Sequence, residues 1–441
     1  MPINYFSGDG QKLWDKAKKI IPGGNMLLSK RSEMFLPELW PSYFSKAKGC
    51  HVWDLNNRKL IDLSIMGIGT NILGYGNTEV DKSVKEIIEK GNMSTLNCPE
   101  EVYLAEKLID MHNWADKVRF ARAGGEANSI AVRIARAATG KDKVAICGYH
   151  GWHDWYLSTN LKGNSQLEEH LLPGLEPNGV PKGLMGTVIP FTFNNTQQIE
   201  EIVANNELAA IKMEVQRNEP PSKEFLEIIR NLCTQKNIVL IFDECTSGFR
   251  ETFGGIHKKY GINPDIAMFG KALGNGYAIT AVIGKESVMD AVQKTFISST
   301  FWTERIGPSA ALKTLEIMEK IKSWEIITKT GKKIKTNWNK LAEENNLKIK
   351  HKGLPSLAGF DFDNEFNLKY KTFITQEMLK EGYLASNSIY VSISHDEKIL
   401  DRYFDKLSSI FYKLNLCSTG ALDIDELLIG EVCHSGFRRL N

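Results

Sequence analysis

Ile238-Val239-Leu240-Ile241-Phe242 is a run of five apolar residues that stops at an acidic pair, Asp243-Glu244. An apolar strand with no polar alternation has no wet face, so it belongs in a sheet covered by helices on both sides. Residues 209–215 and Ile266-Ala267-Met268-Phe269 repeat the pattern, and a helix is expected over 224–235. Upstream, Val118-Arg119-Phe120 and Val144-Ala145-Ile146 predict strands on either side of a helix over 126–138. There Ala127, Ile130, Ala131, Ile134, Ala135 and Ala138 fall on one face. This alternation predicts an α/β fold. Residues 51–63 predict two short strands turning at Asn56-Asn57, and 309–340 predicts a helical stretch with an apolar stripe through Ile327, Ile334 and Trp338.

Charge excludes some partners. Lys+Arg 55 against Asp+Glu 53 leaves a formal +2, which gives no global drive toward nucleic acid or an anionic membrane. Lys329, Lys332, Lys333, Lys335 and Lys340 read as the solvated face of a helix. Seven cysteines, odd in number and without a C-x-x-C pair, predict reduced thiols and a cytoplasmic protein. The N-terminal residues mix charge through their apolar positions, unlike a signal or transit peptide, and no run approaches the roughly 18 apolar residues of a membrane helix.

Open α/β sheets place ligand groups beyond the carboxyl ends of their strands. Asp243 stands there after one apolar strand. Alone it reads more readily as a helix cap or surface acid. Lys271 follows a second strand in FGKALGNGYAIT, bounded by apolar and glycine residues; desolvation in such a setting lowers an amine's pKa and frees it as a nucleophile. An acid for a pyridinium nitrogen and a lysine for a Schiff base together are the two fixed requirements of pyridoxal 5'-phosphate (PLP) chemistry. Ala123-Gly124-Gly125, before the expected helix, supplies a turn whose backbone amides suit a phosphate. No G-x-x-x-x-G-K-[ST] loop occurs, and Gly274 and Gly276 lack the third glycine of a dinucleotide fingerprint. The segment 147–154 has two readings. Cys147, His150 and His153 are spaced as zinc ligands, without a further pair to complete a site; alternatively Tyr149 or His150 lays its ring over a flat cofactor.

These segments resemble the class III aminotransferases of PLP fold type I, and among them the glutamate-1-semialdehyde aminomutase branch. The matching stretches are IPGGN near 21, FARAGGEANSIAVRIARAATG at 120, GYHGWHDW at 148, FDECTSGFRETFGG at 242, PDIAMFGKALGNGYAITAVIG at 264 and YVSISHDE at 390. The resemblance implies an N-terminal segment of a small domain at 1–65, a large PLP-binding domain with a mixed, mostly parallel sheet at 66–305, and a C-terminal small-domain segment at 306–441. It further implies that Lys271 carries PLP as a Schiff base, Asp243 pairs with the ring nitrogen, Tyr149 stacks on the ring and Cys245 touches the opposite face. Thr300 matches a threonine that reaches the phosphate of a neighbouring subunit, which implies a homodimer with shared sites. Glu214 matches a family Glu-Pro whose proline is Val215 here. Ala123-Gly124-Gly125 aligns with a Ser-Gly-Thr, so two hydroxyls are missing and the phosphate is expected to rest on backbone amides. On the substrate side a carboxylate-binding arginine falls near Lys30 or Arg31, a tryptophan is replaced by Ile68, and Ser386-Asn387-Ser388-Ile389 lacks the glutamate of a gating segment. The expected activity is amino transfer to an aldehyde or ketone, with a sugar-derived or phosphorylated carbonyl as the suggested acceptor. An intramolecular aminomutase is the nearest alternative, and a non-catalytic PLP-fold or zinc-binding protein the alternative of another class.

Overall fold

A computed structural model describes residues 3–163, 166 and 175–436. The chain divides into two compact units, Met1–Asn77 with Ile326–Asn441, and Thr78–Glu325.

The second unit holds a seven-stranded sheet. Its spatial order is Lys117–Ala121, Thr280–Gly284, Ile266–Phe269, Val239–Asp243, Leu208–Met213, Lys143–Cys147 and Val188–Pro190. Thr280–Gly284 runs antiparallel to both neighbours and the other pairings are parallel. Register decides what this sheet can do. Cys147 pairs with Met213, Met213 with Phe242, and Asp243 with Met268, so these strands end along one edge. Ala121 reaches the same edge, because Thr280 pairs with Ala121 while the adjacent Ala281 pairs with Phe269. Every loop that carries an expected cofactor group, except that of Thr300, leaves from that edge.

The apolar runs behave as continuous buried strands: all residues of Leu208–Met213 and Val239–Asp243 are buried. The helix Gly124–Thr139 buries Ala127, Ile130, Ala131, Ile134 and Ala135 against them. Each fully buried isoleucine there contributes about 1.5–3 kcal/mol, so the edge rests on a rigid floor. The helix begins two residues before the expected 126. The glycines form its first turn instead of preceding it.

The first unit joins the chain's two ends. Phe44–Lys48, His51–Asp54 and Lys59–Leu63 form an antiparallel ladder, and Tyr383–Ala385 adds in parallel beside Lys59–Leu63. The expected turn is present: Asn57 takes a left-handed φ of 57°, and Asp54 Oδ1 accepts from the amides of Asn56 and Arg58 at 2.9 Å each. A second sheet orders Ile349–Lys352, Leu357–Phe362 and Ser388–Tyr390.

Two borders differ from the sequence expectation. The first falls at 77/78 rather than 65/66, because Tyr75 bridges to Gly49 and Ser392 Oγ donates to the Ile72 carbonyl within the first unit. The second falls at 325/326 rather than 305/306. The stretch expected to be helical over 309–340 is two helices, Ile306–Ile321 and Ser323–Glu344, broken where Lys322 adopts a left-handed φ of 50°. The first of these helices packs on Thr78–Lys90 and Pro99–Met111 in the sheet-bearing unit. No helix among the described residues is long and apolar enough to cross a membrane.

Candidate active site

Asp243 ends a fully buried strand and is 4% exposed. Its Oδ2 lies 2.9 Å from His150 Nδ1, and its Oδ1 accepts from the Cys245 amide at 3.1 Å. Burial alone would raise this carboxyl's pKa, but the charge of Lys212, 3.8 Å away, and the His150 hydrogen bond outweigh it. They hold the pKa well below the usual carboxylate range. His150 is fully buried, and burial together with Lys212 lowers its pKa. A neutral imidazole then donates its Nδ1–H to Asp243, and its buried Nε2 meets no hydrogen-bond partner among the described residues. The histidine orients the carboxylate and leaves it ionised. That geometry corrects one of the two sequence readings, in which the His150 ring covers a flat cofactor. A wholly buried ring bonded edge-on to Asp243 has no such face to offer.

Lys271 follows the strand Ile266–Phe269 through Gly270. It is a non-glycine residue at φ 43°, a left-handed conformation that persists where surrounding structure enforces it and that concentrates at functional sites. Its Nζ donates to Thr246 Oγ1 at 2.6 Å. Desolvation is the largest influence on the amine and lowers its pKa, as a nucleophilic or proton-moving lysine needs.

The three loops close around Cys245. Its Sγ would lie 3.9 Å from a Cβ placed on Gly124 and 3.5 Å from one placed on Gly270, where Thr280 Cγ2 stands at 3.0 Å. Glycine at 270 therefore keeps open a space that a side chain would fill. At the helix start Glu126 Oε2 accepts from the amides of Arg122 and Ala123 at 2.9 Å each. The next amides, Gly124 and Gly125, are first-turn donors without intrahelical acceptors, the standard equipment for a phosphate. The absent hydroxyl at 125 has a steric reason. A Cβ there would meet His153 Nε2 at 2.9 Å, and His153 is held in place by a 2.8 Å hydrogen bond between its Nδ1 and Ser129 Oγ.

Glu214 organises the loop after Cys147. Its Oε2 accepts from the Tyr149 amide at 2.9 Å and from Arg217 at 3.1 Å, and the Arg217 guanidinium lies 5.9 Å from the Tyr149 ring centroid. Gly148, at φ 109°, is required there, since a Cβ would stand 2.6 Å from the same carboxylate oxygen. Tyr149 is half-buried, its hydroxyl pKa raised by burial, and its ring meets Tyr156 edge-on at 6.2 Å.

The structure thus brings together Ala123, Gly124, Gly125, Tyr149, His150, Glu214, Asp243, Cys245 and Lys271 along one sheet edge. Thr300 opens a short 3-10 turn, Thr300–Thr303, and is exposed. Lys30, Arg31 and Ile68 belong to the other unit. Lys30 is exposed, and the Arg31 guanidinium covers Gly23 so closely that a Cβ there would lie 2.2 Å from Nη2. Ile68 is a β-branched residue at φ 64°, within four consecutive left-handed residues from Met66 to Gly69. Such a conformation is a genuine outlier for isoleucine. Sequence reasoning missed Thr246 and Lys212. Thr246 had a signal, three residues past Asp243; a lysine inside an apolar strand had none except its oddity. The zinc reading loses its ligands, since His150 faces Asp243 and His153 faces Ser129. No group of three or more His, Cys, Asp or Glu side chains suited to a metal occurs among the described residues.

An amine, an ionised buried acid at strand depth and a helix start with free amides fit PLP: Lys271 to tether it, Asp243 for its ring nitrogen, Gly124 and Gly125 for its phosphate. Comparisons with known proteins agree. The family model "Aminotransferase class-III" matches residues 38–396. The chain is 32% identical over 407 residues to the 3-aminobutyryl-CoA aminotransferase of Cloacimonas acidaminovorans, covering 89% of this chain and 92% of that protein. It is 31% identical over 430 residues to the glutamate-1-semialdehyde 2,1-aminomutase of Nitrosopumilus maritimus, covering 90% and 99%. Among solved structures it resembles the PLP internal aldimine form of the Sphingopyxis sp. MTA144 FumI protein, with TM-score 0.84 and 23% identity over 96% of this chain and 100% of that one. An omega-transaminase from Sphaerobacter thermophilus gives TM-score 0.80 at 20% identity, over 92% and 97%. This protein therefore belongs to the class III aminotransferases, and it is a PLP-dependent enzyme of that type on an α/β fold of PLP fold type I.

Proposed function

We propose that the protein transfers an amino group from a donor to a separate aldehyde or ketone, with Lys271 and Asp243 as its catalytic residues. The observation that carries the reading is the convergence of Lys271, the Asp243–His150 pair and the Gly124-Gly125 helix start on one sheet edge. When bound, PLP supplies an electron sink for the charge left at a substrate carbon that loses a proton. Lys271 would be the tether, and its Nζ, when free, would be the group that takes or returns a proton at the substrate carbon. Thr246 Oγ1 accepts from that amine and fixes its position. Asp243, held ionised, keeps the ring nitrogen protonated. Tyr149 and Cys245 flank the two ring faces, and Glu214 fixes the Tyr149 backbone.

Intermolecular transfer is favoured over an aminomutase shift by the segment 386–389. Ser386 and Asn387 are buried in a tight link between Tyr383–Ala385 and Ser388–Tyr390; Asn387 Nδ2 donates to the Phe360 carbonyl and Ser386 Oγ meets Thr375 Oγ1 at 3.1 Å. A link sealed in this way has no room to act as a gate. Lys30 or Arg31, with Ile68, forms the substrate side, and the active unit is a homodimer in which Thr300 reaches the partner's phosphate. Exposure of Thr300 beside Phe296 and Phe301, 83% and 68% exposed, supports a subunit contact there. Seven free cysteines support a reducing, cytoplasmic setting.

The test adds amino donors singly to purified holoenzyme and follows the visible cofactor band, then adds acceptors. 3-Aminoacyl thioesters belong among the donors because of the Cloacimonas relative, and phosphorylated sugar ketones among the acceptors. One donor should bleach the band stoichiometrically, a separate carbonyl compound should restore it, and Lys271→Ala should do neither. Conversion of a single substrate to its positional isomer, with no second substrate required, would replace this reading with the aminomutase.

A further inference from the structure

Lys212 is a buried amine beside Asp243 to which the proposed reaction gives no step. It is the next-to-last residue of Leu208–Met213, in register with Ile146 on one side and Ile241 on the other, and is fully buried. Its Nζ lies 3.5 Å from Met268 Sδ and 3.8 Å from Asp243 Oδ2. A thioether is a weak acceptor, and an ammonium withdrawn from water into a sheet costs several kcal/mol unless it is compensated.

The ionisable groups facing it narrow the choice of counter-charge. His150 is neutral and already donates to Asp243. Burial pushes the Cys245 thiol pKa far up, so it brings no charge. Glu214 already accepts from the Tyr149 amide and Arg217. Asp243 remains, and it is the same carboxylate that the ring nitrogen of the cofactor needs.

We infer that Lys212 is a positioning residue that competes with the cofactor's ring nitrogen for the single negative charge of Asp243. With no cofactor bound, Lys212 and Asp243 face each other as a buried pair, burial drawing the amine's pKa down and the Asp243 charge opposing that. When a protonated ring nitrogen arrives, two cations face one carboxylate, so one proton leaves either Lys212 or the ring. The buried cluster keeps one cation throughout, and the balance between the two sites sets how strongly the cofactor draws electrons. This inference rests on the assignment of Asp243 to the ring nitrogen.

The experiment reads the ring nitrogen directly, by the 15N chemical shift of [15N]-pyridoxal phosphate bound to wild type, Lys212→Met and Lys212→Arg across a pH series. Removing the competing cation should raise the pH midpoint for ring-nitrogen protonation by about one unit or more, a tenfold change in proton affinity. Lys212→Arg, which keeps the charge, should return the midpoint to within a fraction of a unit of wild type. The cofactor-free Lys212→Met protein should lose thermal stability, and PLP should restore more of it than it adds to wild type. A midpoint unmoved in Lys212→Met, with stability lowered equally with and without PLP, overturns the inference and makes Lys212 purely structural. Should Lys212→Met not fold, Lys212→Gln carries the same two outcomes. Asp243→Asn separates the levels. If it too leaves the ring nitrogen unchanged, the assignment of Asp243 has failed; if it deprotonates the ring while the Lys212 variants change nothing, only the competition has.

Discussion

Asp243 and Glu244 are adjacent carboxylates at one strand end, both buried, and each is bonded to the Nδ1 of a buried histidine: His150 at 2.9 Å and His257 at 2.7 Å. Their surroundings differ. Glu244 accepts from Ser247 Oγ, the amides of Ile256 and His257, and His257 Nδ1, while Trp114 Nε1 donates to His257 Nε2. Because Nε2 accepts, the proton of that imidazole sits on Nδ1, and the Glu244 carboxylate receives four donors, two on each oxygen. Burial would raise the Glu244 pKa, but the His257 hydrogen bond and charge together with the His257 and Ile256 amides outweigh it and lower it. Asp243 has His150, the Cys245 amide and thiol, and the Lys212 amine 3.8 Å away, and the far nitrogen of its histidine has no hydrogen-bond partner among the described residues. A saturated carboxylate holds the loop 244–257 in shape. The Asp243 carboxylate, ionised against the cost of burial with Lys212 as its partner, carries fewer donors and has room for one more.

Exchanging the charge at each position should therefore give opposite results. Asp243→Asn keeps an acceptor for His150 but removes the anion, and loss of a charge-stabilising contact in a preorganised site costs about 10²–10³-fold in kcat. Thermal stability should hardly fall, and steady-state kinetics beside a melting curve will check both. Glu244→Gln should do the reverse. An amide cannot accept four hydrogen bonds and puts a new donor against donors, which costs about 1–3 kcal/mol of stability for the stranded groups. Denaturant unfolding reads this loss, with kcat changed far less than in Asp243→Asn. Equal losses of kcat in both variants would erase the distinction between the two carboxylates.

From the sequence, the different surroundings of the two carboxylates cannot be read. What can be read there is the strand itself, because five apolar residues in a row have one physical solution, and the two-residue requirement of Asp243 plus Lys271. The glycines of 123–125 are legible as a turn, yet not as the first turn of the helix, since glycine is a poor helix former and only tertiary packing places it there. His150 is legible as a ring near the site but not as the partner of Asp243, because 93 residues separate them and only the sheet register joins them. Lys212 reads as a blemish in an apolar run until Asp243 is seen beside it. The break at Lys322 is hidden because lysine is a good helix former and its left-handed φ is imposed from outside.

The ring behind Glu244 sharpens the contrast through pH. His112 stacks at 5.7 Å on His257, its Nδ1 2.9 Å from the Leu108 carbonyl and its Nε2 accepting from the Gly255 amide at 3.0 Å. Burial lowers its pKa to about 4. Above pH 6.5 neither folded nor unfolded chain protonates it, and stability is level. Between 6.5 and about 4 the unfolded chain binds a proton that the folded chain refuses. Stability therefore falls with pH by up to about 1.4 kcal/mol per unit and levels off below that window. His112→Gln should flatten this part of the profile in unfolding titrations, while His150→Gln, beside the open carboxylate, should chiefly alter cofactor binding. A His112→Gln protein with an unchanged slope would place the acid sensitivity elsewhere.

The smallest expected effect tests whether the open side is tuned at the lysine as well as at the acid. Thr246 lies one residue beyond Cys245, and its Oγ1 accepts the 2.6 Å hydrogen bond from Lys271 Nζ. Thr246→Val keeps the shape and removes the acceptor. The free amine then loses one hydrogen bond worth about 0.5–1.5 kcal/mol, or roughly a 2- to 10-fold change in the rate of the proton transfer it performs. The expected signature is a fall in kcat with little change in KM, and a larger deuterium isotope effect from an amino donor labelled at its transferred hydrogen, since proton movement becomes more fully rate-limiting. The Glu244 network shares no atom with this contact, so the melting temperature should stay within a degree or two of wild type. A fall in stability without the isotope effect would assign Thr246 to the closed, structural half of the loop and leave Lys271 positioned by its backbone alone.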